Sequence, residues 1–193
     1  MKRLCVFCGS STGGPPRYAE AARELGATLA RKRWGLVYGA GNVGLMGVLA
    51  DAVLAAGGEV TGVIPEALVA KELAHRGLTE LHVVGSMHER KALMAELADG
   101  FVALPGGFGT LDEFCEILTW AQLGLHAKPC GLLNVAGFFD PFLQQVARGV
   151  SEGFIRTEHQ GLFVVETRPA KLLQALAKFK PPQVEKWIRP EEG

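Results

Sequence analysis

The sequence predicts an α/β fold, with a Rossmann-like doubly wound parallel sheet and helices on both of its faces. Short apolar runs alternate without a break with longer segments of helical periodicity, as in parallel sheets built from right-handed crossovers. Loops of glycine and small polar residues follow several of the apolar runs, at the edge where open α/β sheets bind ligands. The 193 residues suit one such domain. We place it at 1–179, followed by a proline-rich C-terminal extension at 180–193.

The predicted strands are apolar, rich in β-branched or aromatic residues, and too short to be helices. In chain order they are Leu4–Cys8, Gly35–Tyr38, Glu59–Ile64, Leu81–Val84, Gly100–Leu104, Pro129–Leu133 and Leu162–Val165. The predicted helices begin at Pro15, Ser86, Thr110, Phe138 and Arg168, and a further one ends at Ala56. Proline suits the first turn of a helix, and apolar residues recur at helical spacing in each of these segments.

Charge and hydropathy argue against several classes of protein. Lys plus Arg and Asp plus Glu each number 20, so there is no basic excess of the kind that drives binding to nucleic acid or to an anionic membrane. The apolar run that follows Arg3 is too short for a signal-peptide core, and charges or glycines interrupt every longer run. We therefore expect a cytoplasmic protein that binds neither nucleic acid nor a membrane.

The spacing of cysteine and histidine supports neither a redox dithiol nor a metal site. The pair Cys5 and Cys8 spans a predicted strand end, whereas redox dithiols lie at helix starts. The five histidines lack H-E-x-x-H or a similar ligand pattern. We expect buried free thiols at all four cysteines, Cys5, Cys8, Cys115 and Cys130, and neither metal nor cofactor.

The loops after the first two predicted strands are candidates for the border of a ligand cleft. In the first loop, Ser10 and Ser11 are explained either by ligand contact or by the ordinary chemistry of a helix approach. In the second, Gly39 to Gly44 matches G-x-G-x-x-G, the dinucleotide fingerprint. That fingerprint normally follows the first strand and is paired with an acidic residue ending the next one, but here it follows the second strand and Glu66 is displaced by two positions. We interpret the second loop as close packing beside the cleft, and not as an NAD site.

The stretch LPGGFGTLDE, residues 104–113, joins a predicted strand to a helix through a turn with three glycines. N–H groups at a helix start lack intrahelical partners and lie at the positive end of the dipole, and glycines let a phosphate approach them. Thr110 and Glu113 also have the spacing of a capping box, which alone would explain both residues. A cap does not explain three glycines, since such turns usually manage with one. We therefore predict a phosphate-binding loop.

The helix after the fourth strand carries a charge that needs a partner. Ser86 and Glu89 have capping-box spacing there. Arg90 lies in the first turns, where a cation opposes the dipole, and on the apolar stripe of the helix. Its partner is either a carboxylate of the protein or an anionic ligand. For Lys91, off that stripe, we expect solvent exposure, and the polar segment 66–76 is a candidate flap over the site.

The central helix presents two acids and an aromatic residue on one face. Glu113, Glu116 and Trp120 recur at helical spacing from the mouth of the predicted phosphate loop. A carboxylate near a bound phosphate can orient water, or stabilise the positive charge that develops on a sugar during glycosidic cleavage. The chemistry suggested by this face is therefore the cleavage of a phosphorylated glycoside.

Several segments of the chain resemble one known family. Residues 105–113, PGGFGTLDE, are similar to the motif P-G-G-x-G-T-x-x-E of the LONELY GUY (LOG) family, the cytokinin riboside 5′-monophosphate phosphoribohydrolases. Further segments that resemble the family, in the same order, are Cys8–Ser11, Gly41–Gly47, Met87–Met94, Thr119–Gly124 and Gly131–Asn134. The resemblance extends from about Lys2 to Val165, much further than a single short motif.

The resemblance implies hydrolysis of the N-glycosidic bond of a purine nucleoside 5′-monophosphate, of cytokinin type or AMP, by a homodimer. It implies that Arg90 and Glu113 are the catalytic pair. The expected substrate contacts are Ser10, Glu72, Lys91, Gly106, Gly107, Phe108, Gly109, Thr110, Leu111, Asp112 and Thr119. Two positions depart from the family pattern: Ala40 replaces a usual glycine, which would narrow the second loop, and Asp112 replaces a common glutamate.

Two other functions compete with this one. Members of the family have often been labelled lysine decarboxylases, but that reaction needs a lysine that bears pyridoxal phosphate, with partners for the phosphate and the ring. Lys91 is the only lysine near the predicted site, and its place beside Arg90 is better explained by an anion. The alternative from another class is a protein that holds a nucleotide or a pterin-type cofactor without turnover. Glu113 discriminates against it, because a pure phosphate binder gains nothing from an acid close to the phosphate.

Overall fold

The computed structural model describes residues 1–69 and 74–182, which contain a seven-stranded parallel sheet. The strands are β1 (Arg3–Phe7), β2 (Gly35–Tyr38), β3 (Val60–Pro65), β4 (Glu80–Val84), β5 (Gly100–Ala103), β6 (Cys130–Leu133) and β7 (Phe163–Glu166). Their order across the sheet is β4-β3-β2-β1-β5-β6-β7, and every neighbouring pair is parallel. All seven predicted strands are confirmed, and no strand end is shifted by more than one residue.

The described helices follow the strands in alternation. They are α1 (Arg17–Arg31), α2 (Gly44–Ala55), α3 (Glu66–Val69), α4 (Met87–Leu97), α5 (Phe108–Gln122), α6 (Asp140–Ser151) and α7 (Pro169–Lys178). Short 3₁₀ segments at Val135–Gly137 and Thr157–Leu162 precede α6 and β7. None of the described helices is long and apolar enough to span a membrane.

Each face of the sheet has its own hydrophobic core. Leu4 and Val6 of β1 belong to one core, with α1, α2 and α7, and Cys5 and Phe7 belong to the other, with α4, α5 and α6. Successive side chains of a strand point to opposite faces, so the two cores lie on opposite sides of the sheet. This arrangement confirms the predicted doubly wound α/β fold, with helices on both faces.

The direction of chain winding reverses between β1 and β5. From β1 the chain adds β2, β3 and β4 on one side, and β5, β6 and β7 continue on the other. Open α/β sheets bind ligands at such a reversal, outside the carboxyl ends of the strands. Here the two loops touch, because the Gly9 N–H donates to the carbonyl of Pro105 over 3.1 Å. The predicted phosphate loop therefore lies at the reversal point.

One further expectation is partly corrected, and another is only partly described. Cys5, Cys8 and Cys130 are buried free thiols as predicted, but Cys115 is exposed, because it lies on the outer side of α5. In the predicted flap, Glu66–Val69 forms the single turn α3, and His75 donates its N–H to the carbonyl of Ala40. The rest of the flap, 70–73, and the extension beyond Pro182 lie outside the described residues.

Candidate active site

The N-cap of the helix α5 lies three residues before Thr110, the position at which a capping box would place it. Gly107, with extended backbone (φ −93°, ψ −154°), is the N-cap, and its carbonyl accepts the N–H of Leu111 over 3.2 Å. Thr110 is therefore inside the first turn, where its side chain is 4% exposed, and it is not the N-cap. The capping box of Thr110 and Glu113, the competing explanation of these two residues, does not form. The N-cap, being glycine, makes no side-chain cap hydrogen bond, so the helix start stays open.

The three glycines of this loop have different surroundings. A Cβ at Gly106 would overlap the hydroxyl of Thr110 and lie 2.8 Å from the nitrogen of Gly9. At Gly107 and Gly109, no described heavy atom lies within 4 Å of the added carbon. Gly106 thus closes the packing beneath the loop, whereas Gly107 and Gly109 border open space. Phe108 between them is 94% exposed. The open side is the place for an anion to approach the first N–H groups of α5.

The loops after β1 and β2 interlock beside the α5 start. Leu45 donates its N–H to the carbonyl of Gly9 over 3.0 Å. Gly44, at φ +63°, packs so closely on the backbone of Ser10 and Ser11 that a Cβ would overlap it. This confirms that the second glycine loop packs closely, here against the loop after β1. Ser10 itself is exposed at the rim.

Arg90 is buried at the same rim, with 6% exposure. Its Nε donates to the carbonyl of Val63 and its Nη2 to the carbonyl of Gly39, each over 3.1 Å, and Nη1 lies 3.7 Å from the sulfur of Met87. The ion pairs formed among residues 1–69 and 74–182 do not include Arg90. Of the two predicted alternatives, the internal salt bridge is therefore not observed in the described part of the chain.

Glu113 is partly buried on α5, and its charge acts on the same buried group as that of Arg90. Burial raises the pKa of the Cys5 thiol well above its usual value; Glu113 raises it further, and Arg90 lowers it. Burial, followed by the charge of Glu113, also raises the pKa of Cys8. The charges of both predicted catalytic groups therefore reach Cys5 on β1. The thiols are held neutral there, which removes them as nucleophiles.

Lys91 differs from the expectation of solvent exposure. Its side chain is 14% exposed, and its ammonium lies 3.2 Å from Asp112 and 3.0 Å from Glu116, both on α5. Burial lowers the pKa of Lys91, but hydrogen bonds and charges from Glu116 and Asp112 outweigh burial and raise it above its usual value. The prediction failed because the acids that pair with Lys91 belong to another helix, 21 and more residues away in sequence.

Of four other predicted residues, three lie in the described part of the chain. Glu116 of the predicted face is engaged by Lys91, and Trp120 packs partly buried against the core of α4, α5 and α6. Thr119 is exposed, donates to the carbonyl of Cys115 over 2.8 Å, and lies about 15 Å along the helix from Gly109. Glu72 falls outside the described residues.

The two carbonyls that hold Arg90 were missed by sequence analysis. Gly39 was recognised only as the start of a glycine loop, and Val63 only as a strand residue. Every residue has a main-chain carbonyl, so residue type does not reveal which carbonyls accept from Arg90. The available signal was indirect: an arginine on an apolar stripe without a matching acid in its own helix. Ala40, at φ +61° and fully buried, is a second feature of this loop.

Comparisons with known proteins show the family to which this chain belongs. The family model described as "Possible lysine decarboxylase" matches residues 46–176. A relative from Oryza sativa subsp. japonica, named a probable cytokinin riboside 5′-monophosphate phosphoribohydrolase, is 51% identical over 181 residues, covering 94% of this chain and 80% of its own. This chain belongs to the LONELY GUY (LOG) family. A cytokinin riboside 5′-monophosphate phosphoribohydrolase from Arabidopsis thaliana is 48% identical, over 94% of this chain and 83% of its own.

Solved structures extend the fold beyond the LOG family. The Moco carrier protein from Chlamydomonas reinhardtii superposes with a TM-score of 0.69 at 21% identity, over 92% of this chain and 96% of that one. The molybdenum cofactor binding protein from Rippkaea orientalis gives 0.68 at 21% identity, with 92% and 97% coverage. At such identity the likeness shows the shared Rossmann-like fold alone.

Proposed function

We propose that this LOG protein hydrolyses the N-glycosidic bond of a purine nucleoside 5′-monophosphate, either a cytokinin riboside monophosphate or AMP. The products are the free base and ribose 5-phosphate. The observation that carries the proposal is the open, glycine-lined start of α5 with Glu113 further along the same helix and Arg90 buried nearby. Relatives about half identical in sequence carry the name phosphoribohydrolase.

The geometry suits a substrate whose phosphate and reacting bond lie one sugar apart. The phosphate binds at the open N–H groups of Gly107 to Gly109, where the helix dipole favours negative charge. Glu113 lies about 6 Å further along the helix axis, and side chains on a helix lean toward its N-terminus. One ribose spans that gap. Its C1′ and the bond to the base then lie beside the Glu113 carboxylate.

In the proposed reaction, water replaces the base at C1′. The carboxylate of Glu113 stabilises the positive charge that develops on the ribose ring and orients the attacking water, whose oxygen forms the new bond to C1′. The bonding electron pair leaves with the base, which takes up a proton. Arg90, charged and held at the rim, neutralises the phosphate or the departing base.

The remaining substrate contacts follow the same loop. We propose that the loop from Gly106 to Asp112 surrounds the phosphate, with Ser10 at its edge. Lys91 holds two acids, but an ammonium has three donors, so one remains to reach a substrate oxygen. Glu72 and Thr119 complete the proposed set.

The decarboxylase label of the family model does not fit this site. A lysine that forms a Schiff base needs a lowered pKa, so that its amine is neutral. Lys91 is held by Asp112 and Glu116, and its pKa is raised. We therefore assign hydrolysis to the site and not decarboxylation.

We also propose that the protein is a cytoplasmic homodimer. Leu81 and Val83 lie on one face of the edge strand β4 and are 42% and 55% exposed, and Met87 at the start of α4 is 41% exposed. Exposed apolar groups of this kind mark surfaces that partners cover. Sedimentation should give a dimer, and a monomer at every concentration would contradict the proposal.

The decisive test is an assay of the purified protein with AMP and isopentenyladenosine monophosphate side by side, following base and ribose 5-phosphate. We expect equal amounts of the two products from at least one substrate, and the ratio of rates indicates salvage or cytokinin activation. Nucleotide binding without release of base from either substrate would overturn the proposal in favour of a carrier.

A further inference from the structure

Arg90 is a buried charge held by main-chain groups. Removing a guanidinium from water is costly unless it is hydrogen-bonded or paired. Here the carbonyls of Gly39 and Val63 accept from its Nη2 and Nε; Gly39 directly follows β2, and Val63 lies two residues before the end of the neighbouring strand β3. Main-chain atoms of a buried sheet are rigid, so the guanidinium is fixed in position as well as stabilised.

The position of the Arg90 guanidinium depends on the residue type at position 39. A Cβ on Gly39 would overlap Nη2 of Arg90 and lie 2.9 Å from its Cζ. The guanidinium thus occupies the space that any other residue at position 39 would fill. Relief of the overlap would move the terminal atoms of Arg90, which are the ones that bond the carbonyls.

Backbone conformation does not explain this glycine. Gly39 is not among the residues at positive φ, whereas its neighbour Ala40 is, at φ +61°. The strained position of the loop therefore carries a side chain, and the unstrained position carries none. Conformation alone would favour the opposite choice. Space for Arg90 accounts for it.

We infer that Gly39 is the positioning residue for Arg90: its carbonyl orients the guanidinium, and its missing side chain admits it. The inference rests on the proposed function, since the part of Arg90 in hydrolysis is itself a proposal. Gly39 touches no substrate in this scheme and acts only through Arg90.

The test compares Gly39→Ala, Arg90→Ala and the double variant with the wild type, by thermal unfolding and by steady-state kinetics. Gly39→Ala should lower Tm, and should lower kcat on the order of 100-fold, because a displacement of about 1 Å has that cost. In the Arg90→Ala background the space is free, so Gly39→Ala should lower neither Tm nor kcat further.

Gly26→Ala is the matched control. Its added carbon would lie 2.8 Å from Cβ of Ala52 and 2.9 Å from the carbonyl of Leu49, at the packing of α1 on α2. It should lower Tm and keep the wild-type kcat, so that destabilisation alone is separated from misplacement of Arg90.

Two results would overturn the inference: wild-type kcat in Gly39→Ala, or an equal loss of Tm from Gly39→Ala in both backgrounds. Failure of the proposed function has a different signature, namely no release of base by the wild type. Should Gly39→Ala not fold, the same substitution is made in Arg90→Lys, whose shorter head leaves room. If the double variant has the same kcat as Arg90→Lys alone, the inference is supported. If its kcat is lower, the inference is refuted.

Discussion

The starts of α4 and α5 have the same sequence pattern and opposite structures. Each helix follows a parallel strand, and each has the spacing of a capping box, Ser86 with Glu89 and Thr110 with Glu113. At α4 the pattern forms a cap: Ser86 Oγ accepts the Glu89 N–H over 3.1 Å, and Glu89 Oε2 accepts the Gly85 N–H over 2.8 Å. At α5 the helix starts earlier, at a glycine without a side-chain cap.

The glycines before Thr110 decide the difference. They allow the helix to begin at Phe108, which moves Thr110 inside the first turn and buries it. Its partner in the pattern, Glu113, is thereby more than one turn from the helix start, and it lies where it acts electrostatically on Cys5 and Cys8. A closed helix start serves stability, and an open one is available to a ligand.

The largest expected effect is on kcat, and it should distinguish Glu113 from Glu89, the two glutamates of the capping-box pattern. Glu113→Gln should retain nucleotide binding and lower kcat by 10²- to 10⁴-fold, on the order expected for loss of a positioned carboxylate. Glu89→Gln keeps an oxygen for the Gly85 N–H, so its kcat should stay at the wild-type level and its stability within about 0.5 kcal/mol. Kinetics and binding by calorimetry measure both. Unchanged turnover in Glu113→Gln would remove Glu113 from the mechanism.

At the start of α5, alanine substitutions of two glycines should change stability in opposite directions. Gly106→Ala should destabilise by about 1–3 kcal/mol through overlap with Thr110 and Gly9. Gly109→Ala meets nothing within 4 Å and gains helix propensity, so stability should rise by up to about 1 kcal/mol. Its methyl group enters the proposed phosphate space, and KM should increase. Denaturant unfolding and KM values check both, and an unchanged KM for Gly109→Ala would place the phosphate elsewhere.

The contrast also shows what the sequence could predict. Strand and helix positions follow from periodicity, and the predicted phosphate loop lies at the winding reversal of the sheet. The predicted start of α5 at Thr110 was wrong, because the same residues fit both a capping box and a helix that starts after a glycine. The acid partners of Lys91 and the carbonyls around Arg90 are contacts between distant segments, which local pattern does not encode.

A moderate effect is expected where the cap is real. Ser86→Ala removes the acceptor of the Glu89 N–H and should cost about 1 kcal/mol of unfolding free energy. Because the α5 start is untouched, kcat should remain that of the wild type. Equilibrium unfolding in urea measures the loss. If Ser86→Ala were as stable as the wild type, the side-chain cap at α4 would contribute nothing to stability.

The smallest expected effect concerns the link between the two helix starts. Lys91 on α4 bridges to Glu116 on α5 over 3.0 Å, and the carboxylate is 29% exposed. Glu116→Gln should therefore cost only about 0.5 kcal/mol, and less at high salt. The folded-state pKa of Lys91 is raised above its ordinary value of 10.5. Its ion pairs thus contribute fully below pH 10.5 and are lost as the pH rises through the folded-state pKa.

The unfolding free energies of wild type and Glu116→Gln should accordingly differ at pH 8 and converge above that folded-state pKa. Ser86→Ala is the control, because its cap involves no group that titrates in this range, and its deficit should persist across the same pH values. A difference between wild type and Glu116→Gln that stays constant up to full deprotonation of Lys91 would show that Glu116 stabilises the helix pair by packing, and not through the charge of Lys91.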